Sequence, residues 1–380
     1  MKLPNGWRKD RLGDLVVGNI RNGYSPVCDL SGDTCGWMLS LGALTPHGLD
    51  YSQRKAAPVD PALTRVELQD NDILISRSNT PDRVGMSSIF HVQEENYFYP
   101  DLMMRFQFDS DRLLPLFGWY YLNTPEARSY FKRKASGTSS SMVKITSATV
   151  RSLEIPYPPL PEQRRIAEFL GTWDEAIEKL EQLIAVKEKQ QKVLSNHIFD
   201  QVKKQEFQQC RLVNICAIHK GVQLGKFEMN AKGRYPVLNG GISYSGYTDS
   251  YNCEANTIAI SEGGNSCGFV NLIREKFWCG GHCYTLKNIR ISMQYLFFFL
   301  KHRQDMLMNL RVGSGLPNIQ KKDLENVEVV FPIMEEEQNR FSEILLCTQN
   351  ELDLLRKKLA VLQKQKRGLM QKLLTGTWRV

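Results

Sequence analysis

The chain has 380 residues, 42% hydrophobic and 24% charged, with a formal net charge of +8. That length accommodates two domains with separate cores, and the mild positive charge favours an anionic partner without establishing one. The most apolar run, Tyr295 to Leu300, is too short to span a bilayer, and the first residues lack an apolar signal core, so a cytoplasmic protein without a membrane partner is expected.

Residues 1–156 read as a mixed α and β domain. "RLGDLVVGNIRNG" from Arg11, "WMLSLGAL" from Trp37 and "NDILISR" from Asn71 are short apolar runs set between Gly, Asn and Asp, the pattern of strands and turns. "RLLPLFGWYYLNTPEARSYFKRKA" reads as helix. Its basic end, Arg128, Lys132, Arg133 and Lys134, leads into the Gly/Ser loop "ASGTSSSMVK", which contains Ser139 and ends at Lys144. Lys and Arg neutralise phosphates, and small residues let backbone N–H groups approach them. The competing reading is a solvated helix face. For base readout the candidates are Arg77, Asn79 and Arg83, because Arg pairs bidentately with guanine and Asn with adenine. Trp7, Trp37, Trp119 and Trp278 are expected in cores.

Residues 157–205 read as one long helix. From "PPLPEQRRIAEFLGTWDEAIEKLEQLI" at Pro158, the residues Ile166, Leu170, Trp173, Ile177, Leu180 and Ile184 recur at steps of four and three. That is the narrow seam of a coiled coil. Leu194 and Ile198 resume it after Lys187 and Gln191 interrupt it.

Residues 206–333 repeat the first domain faintly. "RLVNICAIHKG" from Arg211, "YPVLNGGI" from Tyr235, "NTIAISE" from Asn256 and "PNIQKKDLENVEVVFP" from Pro317 stand where similar segments stand in the first domain. Lys301, Arg303 and Arg311, from a helical run, lead into "VGSGLPNIQKK", which contains Ser314. Glu262 is placed to accept from cytosine N4 and Asn265 to pair with adenine. Lys226, in "GVQLGKF", is a further DNA-contact candidate; the segment imitates a P-loop but has the wrong spacing and no Ser or Thr after the lysine. The nine cysteines suggest no disulfide framework, being odd in number in a reducing compartment. A zinc site from Cys279, His282 and Cys283 with Cys253 or Cys267 lacks a Cys-x-x-Cys knuckle, so buried free thiols and no metal are expected.

Residues 334–380 write the long helix a second time. A shift of 175 places Glu162 on Glu337, Gln163 on Gln338 and Leu180 on Leu355 without a gap. Phe341, Leu345, Leu352, Leu355, Leu359 and Leu362 hold the same frame, and Lys366 interrupts it. Each helix should run about 60 Å at 1.5 Å per residue. The other copy is the obvious partner for its stripe.

The helix entry "PPLPEQRRIAEFL", its degenerate copy "EEEQNRFSEIL", and the segments "YPVLNGG" and "DILISR" together resemble the specificity (S) subunit of type I restriction-modification enzymes. The likeness extends over essentially the whole chain. It implies an α+β fold: two mixed target recognition domains separated by two long antiparallel coiled-coil helices, in a pseudo-twofold internal repeat. Each domain would read one half of a bipartite target in double-stranded DNA. The helices would set the spacer and dock two modification (methyltransferase) subunits, joined by restriction (translocase and endonuclease) subunits. The chain itself would be non-catalytic and carry no cofactor, S-adenosylmethionine belonging to the methyltransferase. No Asp-Pro-Pro-Tyr or Asn-Pro-Pro-Tyr motif is present. The second helix entry departs from the pattern, with Met334-Glu335 where prolines are usual. Two other readings stay open: a coiled-coil scaffold of two protein-binding domains without DNA specificity, and the specificity subunit of a methylation-only complex.

Overall fold

A computed structural model describes residues 3–26, 33–139, 142–200, 206–225, 228–230, 232–313 and 317–379. Two long helices dominate it, Leu160–Phe199 and Glu335–Leu374, each of 40 residues. The chain forms two compact units: Met1–Glu181 with Lys357–Val380, and Gln182–Arg356. Each unit therefore contains one domain and half of each long helix.

In the first unit the strand Arg8–Arg11 pairs antiparallel with Glu154–Tyr157, which delivers the chain to the first long helix. A four-stranded antiparallel sheet takes the order Val16–Asn22, Met103–Phe108, Ile73–Ser76, Ser87–Ile89. Beside it Tyr97–Phe98 pairs parallel with Thr34–Leu39, which pairs antiparallel with Arg54–Pro58. The second unit repeats this plan. Phe207–Arg211 pairs with Glu328–Pro332 ahead of the second long helix. The four-stranded sheet runs Ala217–Lys220, Cys283–Lys287, Thr257–Ser261, Val270–Ile273. The three-stranded one runs Gly246–Thr248, Tyr235–Leu238, Trp278–Cys279, with the last pair parallel. Asn71 and Asn256, aligned by sequence, both take left-handed φ, 64° and 56°, at the entry to the equivalent strand.

The two segments expected as single helices each break in two. The first gives Pro115–Leu122 and Pro125–Lys134, because Thr124 caps the second helix through Ala127 N–H and Pro125 takes its first turn. The second gives Met293–His302 and Gln304–Asn309.

The seam residues are buried or half-buried throughout. The outer turns of each helix do not pack only on the other helix, however. Ile166, Leu170, Met370, Leu373 and Leu374 join the core of the first domain with Phe117 and Tyr120. Ile198, Phe199 and Leu345 join that of the second, where Phe199 meets the rings of Tyr295 and Phe299 at 5.6 and 5.7 Å. The other helix is therefore not the sole partner of the stripe: each domain buries part of it, because the helices present their ends to the domains. Pairing is antiparallel in each unit. Asp174 meets Lys366 and Glu181 meets Gln363 in the first; Lys187 meets Glu351 and Glu188 meets Arg356 in the second.

Gln163 and Gln338 explain the conserved spelling of the two helix entries within this chain. Gln163 is fully buried. Its Oε1 accepts from Leu114 N–H at 2.8 Å, and its Nε2 donates to the carbonyls of Arg112 and Pro158 at 2.9 and 2.8 Å. Gln338 accepts from Ser292 N–H at 2.8 Å and donates to the Pro332 carbonyl at 2.7 Å. One amide thus satisfies the start of a domain helix and the end of the preceding strand together.

Candidate nucleic-acid interface

In the first unit the strand Ile73–Ser76 runs into a loop that returns at Gly85. Gly85 has φ of 70°, and a Cβ there would lie 2.5 Å from Phe131 Cβ, so only glycine lets the loop sit on the helix Pro125–Lys134. Arg128 donates to the Asp82 carbonyl at 2.8 Å, and Lys132 pairs with the Asp82 carboxylate at 2.6 Å. Hydrogen bonding to Lys132, and then its charge, hold that carboxyl below its usual range. Burial lowers the Arg128 guanidinium to about 10. The strand Ser78–Asn79 pairs with Met142–Lys144, and that with Ser136–Ser139.

The fold therefore brings Arg128 and Lys132 from the helix, and Lys144 from the hairpin, to the edge of the loop that carries Arg77, Asn79 and Arg83. Arg133, Lys134 and Lys144 are exposed on or beside it. Arg77 reaches the Asp101 carbonyl at 3.2 Å, and Arg83 reaches that of Leu44 at 3.1 Å. The Asn79 amide is used locally, accepting from Thr80 N–H at 2.8 Å and donating to Ser76 Oγ at 3.3 Å. The Ser139 side chain, Lys226 and Ser314 lie outside the described residues.

The second unit builds the same edge with different chemistry. Gly268, with φ of 85°, is the counterpart of Gly85; a Cβ there would meet Met308 N at 2.7 Å. Asn318 bridges both Gly263 and Val312, and the Ile319 N–H donates to the Glu262 carbonyl at 2.9 Å. Arg311 and Asn265 are exposed on this edge. Glu262 is not open to a base. It is buried, with Oε1 accepting from Lys220 Nζ at 2.7 Å and from the Tyr284 hydroxyl at 2.8 Å. Arg303 sits in the turn between the two domain helices, 4.0 Å from Asp200.

Lys301 also lies elsewhere. Its Nζ donates to the Val270 carbonyl at 3.1 Å and to Gln304 at 2.7 Å, over the Phe269 ring at 3.7 Å. Its counterpart in the first unit is Asn123, which donates to the Ser87 carbonyl. Lys301 is therefore a strut between helix and sheet. Burial depresses it to about 8, against 10.5 for a free lysine. Between those values the folded chain holds fewer protons than the unfolded one, so lysine costs stability below pH 8 and stops doing so above pH 10. Thermal melts should therefore show wild type gaining on Lys301→Asn as pH rises from 7 to 10. A constant gap would place the charge in water.

A cation–aromatic surface on the second domain escaped the sequence reading. Tyr244, Tyr247 and Tyr251 are exposed, Lys276 lies 4.3 Å from the Tyr251 ring, and Arg234 lies 5.4 Å from that of Tyr235. Its signal was the tyrosine-rich run "RYPVLNGGISYSGYTDSY". Cys253, Cys279 and Cys283 gather in an apolar cluster with Leu238 and Phe277, while His282 is exposed. Among the described residues no three His, Cys, Asp or Glu side chains are arranged to hold a metal.

Each unit is a mixed domain with half of each long helix, and the two repeat one plan, which defines a duplicated α+β protein. The model of the type I restriction modification DNA specificity domain matches residues 65–188 and 204–364, and the chain belongs to that family. The type I restriction enzyme MjaX specificity subunit of Methanocaldococcus jannaschii is 23% identical over all of this chain and 95% of its own length. A type I specificity subunit of Mycoplasma genitalium is 32% identical, over 36% of each chain. The crystal structure of a type I restriction-modification S subunit from M. genitalium superposes with a TM-score of 0.66 at 20% identity, covering 98% of both chains.

Proposed function

We propose that this chain is the DNA-reading, non-catalytic subunit of a type I restriction-modification complex. Each domain reads one half of a bipartite target in double-stranded DNA. The long helices hold two methyltransferase subunits, which bring S-adenosylmethionine, and restriction subunits join that core in the cytoplasm. The observation that carries the reading is the duplicated edge: a strand-end loop, closed by Gly85 or Gly268 on a helix, beside a second loop segment with exposed cations.

On this reading Lys132, Arg133, Lys134 and Lys144 contact phosphate, whereas Arg77 and Arg83 face base edges. In the second domain Arg311 and Asn265 take those parts, and Lys301 and Glu262 take neither. The test uses the chain co-expressed with an adenine methyltransferase encoded beside it. Replacing Arg133, Lys134 and Lys144 by Ala should weaken binding to every sequence at least about tenfold and lower the salt slope by about 2–3. The methylated sequence should stay the same. Arg77→Ala should instead relax one half-site only. Equal binding by all variants, without sequence preference, would favour a protein scaffold.

A further inference from the structure

The polar residues that interrupt the two seams form a code. Under the shift of 175 that relates the helices, Asp174 corresponds to Gln349 and Lys366 to Gln191. In the first unit Asp174 pairs with Lys366, and its other oxygen accepts from the Tyr120 hydroxyl at 2.6 Å. In the second unit the equivalent layer is uncharged: Gln191 donates to Gln349 at 3.2 Å. A layer that symmetry would write twice is thus written once with charges and once without.

Two further layers hold an ion pair in the second unit and none in the first. Lys187 pairs with Glu351, but the equivalent positions hold Leu362 and Ala176. Glu188 pairs with Arg356, but the equivalent positions hold Gln363 and Glu181. Both of these pairs are substantially exposed and contribute little each. Lys366 is only 3% exposed, so its layer decides.

We infer that Asp174 and Lys366 are a pairing determinant, which makes the first long helix select the second and reject a second copy of itself. If two first helices paired, each Asp174 would face Gln191 and Glu188 would face Glu181. If two second helices paired, each Lys366 would be buried against Gln349. A buried charge without its counter-charge is strongly disfavoured, and a polar seam residue specifies partner for that reason. The consequence is that a complex built on this chain always contains two different domains. The inference stands on the helix pairs alone and holds whether or not the domains read DNA.

The test begins from the folded full chain, because each unit is assembled from both halves of the sequence. A protease site is inserted within residues 201–205, the purified protein is cut there, and the nicked molecules are left to exchange halves. Native mass spectrometry then counts unlike and like pairs. Wild type should keep unlike pairs, with the exchange constant at least about 100-fold below the statistical value. Asp174→Gln with Lys366→Gln should raise it at least about tenfold, the rest of the preference lying in helix-end residues such as Phe199 and Leu374 that enter different domain cores. A second variant leaves the natural pair intact: Gln191→Lys with Gln349→Asp supplies every like pairing with its missing counter-charge, and should raise the exchange constant to a similar extent. Random exchange by nicked wild type overturns the inference. So does a Gln191→Lys, Gln349→Asp protein that retains the wild-type preference.

Discussion

Gln163→Leu is expected to destabilise the protein by about 2–4 kcal/mol, because it leaves one buried and two half-buried backbone groups without that partner, at roughly 1–3 kcal/mol for a group that water does not reach. The groups are the Leu114 N–H and the carbonyls of Arg112 and Pro158. Gln163→Glu should be no milder. Its carboxylate can still accept from Leu114 N–H, but it would turn a buried negative charge towards two carbonyl oxygens. Gln338→Leu strips two such groups and should cost somewhat less. Urea titration followed by circular dichroism measures the losses. A loss below about 1 kcal/mol for Gln163→Leu would mean that water replaces the amide, since a hydrated site forfeits only the net worth of its hydrogen bonds.

That amide shows where the sequence was legible and where it was not. The long helices could be read because a seam is a period, and a period survives substitution; the 40-residue lengths followed from it. The shared frame also disclosed the duplication, since Glu162-Gln163 and Glu337-Gln338 open both copies. Their role could not be read. Two of the three partners of Gln163 lie some 50 residues upstream, and all three are backbone groups, which leave no trace in side-chain identity. The basic edge was half legible. Lys132 does reach the loop at Asp82, and Lys144 lies beside Ser78, because the loop, the helix end and the hairpin pack on one another. Lys301 and Glu262 were misplaced by the same reasoning. A charge near a loop in sequence can turn inward when a carbonyl, a ring or a counter-ion waits there, as Val270, Phe269 and Lys220 do. The basic and aromatic neighbours on the second domain needed the strands of the three-stranded sheet to bring Tyr251 to Lys276, from 25 residues away.

Seven residues added to each long helix should lengthen the spacer of the DNA target while both half-sites keep their sequence. The sites for insertion are between Gln182 and Leu183 and between Lys357 and Lys358, beside the point where each helix passes from one unit to the other. These positions are equivalent under the 175-residue shift and lie opposite each other in the antiparallel pair, so Asp174 still meets Lys366 and Gln191 still meets Gln349. A heptad keeps the seam in frame. It adds about 10 Å at 1.5 Å per residue, which is about three base pairs at 3.4 Å per step. Those base pairs also turn the second half-site by about a third of a helical turn, given roughly 10 base pairs per turn, so weaker methylation is expected alongside the longer spacer. Sequencing methylated adenines in cells that express the variant with its methyltransferase provides the measurement. A longer spacer makes the helix pair the ruler. An unchanged spacer in an active complex would give that role to the methyltransferase subunits, with the helices only holding them.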